Sequence, residues 1–296
     1  MRACAYDFRG ATMARRCRAI VKGLALGGLL ATAASAASPP LRVASLNPCL
    51  DAILVEVADP SQIAALSHYS RDPSQSLISA VAARYPFTWG SAEEIVALKP
   101  DLVLTSGSFA PLTSVLTPLG VRQAKFTVPE SIDESLAQVA RIARLVGHPE
   151  RGDALVIRIR SALAAAAPHP GEARLGALIY QYHGLASGPD TLATALLGRT
   201  GFDNRARRYG LAHTGAVPLE ALIADPPQVL LAGRLASNEP VWADRVLSHP
   251  ALKALARRVR LESFPEQLMF CGGPSIIPAV AALASAREHA LSGAPR

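Results

Sequence analysis

The side chains in this sequence that could do chemistry are few and widely spaced. Cys49, in Asn47-Pro48-Cys49, and Cys271, in Cys271-Gly272-Gly273-Pro274, are the thiols beyond residue 36; Cys4 and Cys17 precede it. Three readings of the pair stand open: a disulfide, two thiols contacting a metal centre, or two unrelated half-buried residues. A bridge would need the two Cα atoms within about 7 Å. His68, His169, His183, His213 and His249 show no His-x-x-x-His spacing, so no metal site of the protein's own is expected. Beyond residue 36 there is no Gly-x-Ser-x-Gly elbow, phosphate-binding Walker loop, Gly-x-Gly-x-x-Gly turn or Cys-x-x-Cys. No catalytic residue is therefore expected, and enzymes are the least favoured class. Arg205, Arg207, Arg208 and Arg234 could grip an anion through bidentate guanidinium contacts. The first three share one basic loop, whose plainer role is solvation; Arg234 is better placed, because it follows a strand.

Short apolar runs alternate with helical patterns, the signature of an α/β fold. Strands are expected over Arg42–Leu46, Ile63–Ser67, Asp101–Thr105 and Val121–Val128, with helices over Leu50–Ala58, Ser91–Leu98 and about Pro111–Leu119. These form a first lobe over residues 41–128. Residues 129–170 read as helical almost throughout, with Leu136, Val139, Ile142, Ala143 and Val146 at three-to-four spacing and a junction near Gly147 and Pro149. A second α/β set occupies residues 171–292, with strands at Arg174–Tyr182, Gln228–Ala232 and Val259–Phe264. Its helices are expected near Thr191–Leu197, Pro218–Ala224, Leu252–Arg257 and Ser275–Glu288. The fold expected is two α/β lobes, each a mainly parallel sheet flanked by helices, joined by one long backbone helix.

Open α/β sheets bind ligands at the carboxyl ends of their strands. In the first lobe those ends carry Asn47 and Cys49, His68 and Tyr69, and Thr105 to Phe109, with Trp89 just ahead of the third helix. In the second lobe they carry Tyr182 and His183, Arg234, and Phe264 onward to Cys271. Tyr69, Trp89, Tyr182 and Phe109 would suit a large flat or rounded ligand, which aromatic faces hold with few hydrogen bonds.

The N-terminal segment bears on compartment. Arg15, Arg16, Arg18 and Lys22 precede an uncharged apolar run from Gly23 to Ala34, then Ala34-Ser35-Ala36 and Pro39-Pro40. This order of basic, apolar and small residues is that of a cleavable export signal over residues 1–36, by either the general secretory or the twin-arginine route. The apolar run is too short for a membrane span, and no cysteine stands at the cleavage point to carry a lipid. The formal charge of +7 shrinks to about +2 once the leader's six cations and Asp7 are removed, so nucleic-acid binding is not indicated. A soluble periplasmic protein is expected.

One internal repeat links the lobes. Ala92-Glu93-Glu94-Ile95-Val96-Ala97-Leu98-Lys99-Pro100-Asp101-Leu102-Val103-Leu104 aligns with Leu219-Glu220-Ala221-Leu222-Ile223-Ala224-Asp225-Pro226-Pro227-Gln228-Val229-Leu230-Leu231. Each copy is a short helix with an early Glu, a Pro that ends it, and an apolar strand.

These segments, with Val43-Ala44-Ser45-Leu46-Asn47-Pro48 and Val217-Pro218-Leu219-Glu220, closely resemble the helical-backbone class of periplasmic binding proteins, which includes vitamin B12 and ferric-siderophore binders. The resemblance implies two lobes with a ligand cleft between them, joined by a connecting helix that permits only modest closure. It implies capture of a metal chelate, cobalamin or a ferric siderophore, and delivery to an ABC importer. A haem-binding member, or a ligand sensor that docks to a receptor, are the alternatives. The implied partner is the permease dimer in the inner membrane, and the protein would act as a monomer without a cofactor of its own. Glu93 and Glu220 match the acidic residues that dock each lobe onto permease arginines, with Glu94 as a second choice. Tyr69, Trp89 and Tyr182 fall where B12 binders place aromatic contacts. The cysteine pair has no counterpart in the B12 binder compared, so the resemblance says nothing of it.

Overall fold

The predicted alternation of strands and helices takes shape as two open sheets overlaid by helices in a computed structural model, which describes residues 41–107, 114–181, 184–233, 259–269 and 271–292. The export signal expected over residues 1–36, Phe109, Tyr182, His183, Arg234, His249 and the helix expected near Leu252–Arg257 lie outside the described residues.

The first sheet is wholly parallel, in the order β3-β2-β1-β4-β5. Its strands are β1 (Val43–Ser45), β2 (Ile63–Ser67), β3 (Phe87–Thr88), β4 (Leu102–Ser106) and β5 (Arg122–Phe126). The helices α1 (Pro48–Val57), α2 (Ser79–Ala82) and α3 (Ala92–Leu98) belong to this half. Strands β1, β2 and β4 are buried along nearly their whole length, as parallel strands covered on both faces must be.

The second sheet runs β11-β10-β6-β7-β9, with β8 beside β6. It is built from β6 (Leu175–Tyr180), β7 (Leu185–Ala186), β8 (Phe202–Asn204), β9 (Gly215–Ala216), β10 (Val229–Ala232) and β11 (Arg260–Ser263). Here β7 and β9 run antiparallel to their neighbours, so the sheet is mixed. Strands of two or three residues such as β3, β7, β8 and β9 carry too little periodicity to be read from sequence.

The connecting segment is not one unbroken helix but divides at the junction expected near Gly147 and Pro149. It forms two helices, α4 (Ile132–Leu145) and α5 (Pro149–Ala165). Gly147 takes φ +87 and ends the first, and Pro149, which lacks an N–H, begins the second. The two pack closely where Gly152 meets α4: a β-carbon there would lie 2.5 Å from the Ala143 Cβ. Helices α6 (Leu192–Arg199), α7 (Leu219–Ala224) and α8 (Ile276–Ser292) complete the described architecture.

One apolar core runs through both sheets and the connecting helices. Leu54, Leu104 and Phe126 from the first half join Val139, Ile142 and Ile159, and then Ile179, Phe202, Leu231 and Leu283 from the second. Burying each such side chain is worth about 1.5–3 kcal/mol, so the halves are held by a shared interior. The internal repeat appears as α3–β4 and α7–β10, with the matched Ile95 and Leu222 fully buried beneath their helices.

Candidate functional site

The strand order of the first sheet reverses between β1 and β4, the kind of crevice where such sheets take ligands. Asn47 occupies it, but as a structural bridge. Its Oδ1 accepts from the Cys49 and Leu50 amides at 2.9 and 3.4 Å, capping α1, and its Nδ2 donates to Ser106 Oγ at 3.0 Å. A ligand contact is the expectation at this position; the polar atoms of Asn47 join the ends of β1 and β4.

The next two strand ends carry a ladder of rings. Tyr69 and His68 lie 3.9 Å apart by ring centroid, and His68 and Trp89 lie 4.1 Å apart, tilted by 37° and 31°. Phe87 meets Trp89 edge-on at 6.1 Å, and the Arg71 guanidinium sits 4.3 Å over Phe87. Tyr69 is 44% exposed and Trp89 66%. Aromatic residues of this size usually bury most of their surface, so an outward-facing stack is a surface available to a ligand. Strand β3 is what places Trp89 beside His68, since Ser67 pairs with Thr88.

Behind the ladder lie two carboxylates. Asp51 is fully buried in α1; its Oδ2 accepts from the Ser67 amide at 2.8 Å and from Ser70 Oγ at 2.6 Å. Its Oδ1 has no hydrogen-bond partner among the described residues. Burial raises the Asp51 pKa to about 7, against the lowering effect of Ser45, Ser70 and the Ser67 amide. Glu94 accepts from Thr88 Oγ1 at 2.6 Å and from the Trp89 and Gly90 amides at 2.8 and 3.2 Å. Those bonds, Thr88 first, hold its carboxyl below the usual range. Glu94 therefore turns toward the ladder. Asp51 escaped the sequence reading, although a lone carboxylate within the apolar run Leu50–Leu54 is itself a signal.

The second half contributes a cavity of about 430 Å³. Val128, Pro129 and Glu130, just after β5, close one side, and Gln181, Ser187, Asp190, Thr191 and Thr214 supply polar groups from the other. Leu185, Leu192 and Met269 add apolar surface, and Gly272 lies at its edge. Tyr69, Trp89, Asn47 and Cys49 are not among the residues lining it. Glu130 and Asp190 were not singled out from sequence, yet both flank recognisable signals, a strand end and the Thr191 cap of α6.

Cys49 and Cys271 form a disulfide, with Cα atoms 4.9 Å apart. The bridge joins the first turn of α1 to the segment ahead of α8. With the sulfurs bonded to each other, neither offers a thiolate to a metal. Among the described residues no group of three or more His, Cys, Asp or Glu could hold a metal ion. The basic loop is also occupied: Arg207 lies 3.7 Å from Asp190, Arg208 pairs with Asp225 at 2.6 Å, and Arg205 lies along Gly176 at the start of β6. Arg205 and Arg208 thus face away from the strand ends. Glu93 and Glu220 are both exposed, in the first turns of α3 and α7 on different halves.

Comparison with known proteins follows the same lines. The family model described as "Periplasmic binding protein" matches residues 43–258. A cobalamin-binding protein of Halobacterium salinarum is 28% identical over 210 residues, 68% of this chain and 56% of its own; this chain thus spans little more than half of that relative. Among solved structures, the apo periplasmic heme-binding protein RhuT from Roseiflexus sp. RS-1 superposes with a TM-score of 0.67 at 21% identity, covering 83% of this chain and 99% of that one. The periplasmic vitamin B12 binding protein BtuF of Vibrio cholerae superposes with a TM-score of 0.66 at 16% identity, covering 86% and 98%. At these identities the superpositions speak for the fold. No helix among the described residues is long and apolar enough to cross a membrane. With residues 43–258 matched by its model, the chain belongs to the periplasmic binding protein family.

Proposed function

We propose that this protein is the exported substrate-binding component of an ABC importer, and that it captures a metal-chelate nutrient, a corrinoid before a ferric siderophore, between its two halves. The observation that carries this reading is the exposed stack of Tyr69, His68 and Trp89 at the carboxyl ends of β2 and β3. A stack of tilted rings offers broad apolar contact to a macrocycle and makes few demands on hydrogen bonding. The character of the cavity lined by both halves supports the corrinoid. Glu130 and Asp190 are carboxylates, and Gln181, Ser187, Thr191 and Thr214 are neutral donors and acceptors. Peripheral carboxamides match such a wall, whereas a catecholate chelate would bring anions to it and favour unpaired cations. The sequence relative from Halobacterium salinarum, a cobalamin-binding protein, supports the same reading.

Delivery follows from the placement of Glu93 and Glu220. Each is an exposed carboxylate on its own half, and two separated charges on one body define orientation as well as attraction for a partner with matching arginines. In this reading the leader is removed on export and the protein works as a monomer in the periplasm. Haem is the second reading, because the superposable structures include haem binders; His68 and Tyr69 would then face the haem edge or iron. Calorimetry of the purified protein against cyanocobalamin, haem and a panel of ferric siderophores tests the proposal. One-to-one binding of cyanocobalamin is expected. Failure of every chelate to bind would overturn it.

A further inference from the structure

We infer that Asp51 and Glu94 are positioning residues for the ring ladder: each carboxylate anchors the backbone turn from which ladder rings project, so the wall stands formed before a ligand arrives. The inference rests on the reading of the ladder as a ligand wall.

Tyr69 and His68 sit on a short 3₁₀ turn over His68–Arg71. Asp51 grips that turn at both ends of the ring pair, through the amide of Ser67 before it and the hydroxyl of Ser70 after it, with one oxygen. Glu94 grips the neighbouring turn in the same manner. One oxygen receives the Thr88 hydroxyl and the amides of Trp89 and Gly90, while Thr88 Oγ1 also accepts from the Gly90 amide at 2.9 Å. Glu94, whose carboxyl is held below the usual range, is an ionised acceptor, and hydrogen bonds to such an acceptor are roughly twice as strong as neutral ones.

Such anchoring matters because the rings, though stacked on one another, are exposed. Trp89 and Tyr69 face solvent over much of their surface, and an unrestrained side chain of this kind must be ordered when a ligand binds, at about 0.5–1.5 kcal/mol each. A ladder with its backbone turns already fixed avoids part of that loss. Glu94 engages its carboxylate in the turn beneath Trp89, and Asp51 is buried, so the role assigned to each is positioning and not contact.

The test uses a W242F parent, in which Trp89 is the remaining tryptophan of the two. Glu94→Ala is expected to raise acrylamide quenching of Trp89 about twofold and to lower its limiting fluorescence anisotropy. Affinity for cyanocobalamin should fall about tenfold, and Glu94→Gln, which keeps an acceptor oxygen, should restore most of both. Ser70→Ala should weaken cyanocobalamin binding several-fold with Trp89 quenching unchanged, because it frees only the tyrosine turn. Unchanged Trp89 quenching and anisotropy in Glu94→Ala would overturn the inference, as would a loosened Trp89 with affinity intact. A parent that does not bind cyanocobalamin would count against the proposed ligand, while the ligand-free Trp89 measurements would still decide the positioning role. Trp89→Ala with undiminished affinity would remove the ladder from the ligand wall and overturn both.

Discussion

Cys49 and Cys271 are bonded across a sequence separation of 222 residues, and the bond ties the start of the first half's α1 to the loop that leads into α8. The loop is pinned a second time two residues on, where the Gly273 amide donates to Ser135 Oγ of α4 at 2.7 Å. First half, connecting helices and terminal helix therefore meet at one point beside the cavity edge at Gly272. A body joined in this way, over a continuous core, has little freedom to hinge.

Removing the bridge should cost stability. A cross-link that closes a long loop restricts the unfolded chain and typically contributes about 2–4 kcal/mol. The Cys49→Ser, Cys271→Ser double variant, or the wild type under dithiothreitol, should show a correspondingly lower urea midpoint. An unchanged midpoint would mean that the bridge adds nothing to the packed core.

The loop should also resist any added β-carbon. Gly273 has φ +60, and a β-carbon there would meet Ile53 Cγ1 at 2.7 Å; at Gly272 it would collide with Ser135 Oγ. Gly273→Ala should lose about 1–3 kcal/mol by overpacking and backbone strain, read as a drop in melting temperature. Gly120, which has open space around the added atom, makes a poor comparison because its φ is also positive; Gly107→Ala, with φ ordinary and nothing within 4 Å, is the proper control and should change little.

Asp51 sets a pH dependence. Its folded pKa is raised to about 7 by burial, above the ordinary carboxylate value, so the native state holds a proton that the unfolded chain has lost. Stability from this group is therefore full below about pH 4 and declines as pH rises toward about 7, by a few kcal/mol at most. Asp51→Asn should flatten that segment of the stability profile in urea titrations at stepped pH. A wild-type profile that rises steadily from pH 4 to 7, with the variant parallel to it, would contradict the assignment.

Tyr69 and Trp89 should carry much of the ligand affinity. Each truncation to Ala is expected to weaken cyanocobalamin binding about tenfold or more, equivalent to about 1.4 kcal/mol per decade, with the urea midpoint preserved because both rings are exposed. Calorimetry on each variant measures it directly.

Glu93 and Glu220 should separate binding from delivery. Changing both to Ala is expected to abolish uptake into cells or vesicles carrying the importer while leaving ligand affinity intact. Lost affinity would place those carboxylates in the cleft.

Much of this molecule follows from local chemistry, and that part is legible without coordinates. Ser91, Ser131 and Thr191 cap α3, α4 and α6, each accepting the amide three residues on, because a short hydroxyl satisfies a free helix N–H wherever it occurs. Unbroken apolar runs such as Ile63–Ser67 become buried parallel strands with the predicted bounds. Gly147 and Pro149 mark a break in the connecting segment, and the repeat around Glu93 and Glu220 puts matching units in both sheets. All of these depend on neighbours within a few residues.

What only the tertiary structure decided depends on partners far away in sequence. Nothing near Cys49 announces Cys271, since pairing is settled by where α1 and the loop before α8 end up in space. The stacking of His68 on Trp89 requires β3, a two-residue strand whose place comes from pairing with β2. Asn47 bridges two strand ends because Ser106 arrives beside it from β4. Glu94 turns toward the ladder because the Thr88 hydroxyl and the Trp89 and Gly90 amides come within its reach, and Asp51 is buried because α1 packs on the sheet. Hydrogen bonds and ring contacts act over a few ångströms, so their partners are chosen by the folded path of the chain and not by its order.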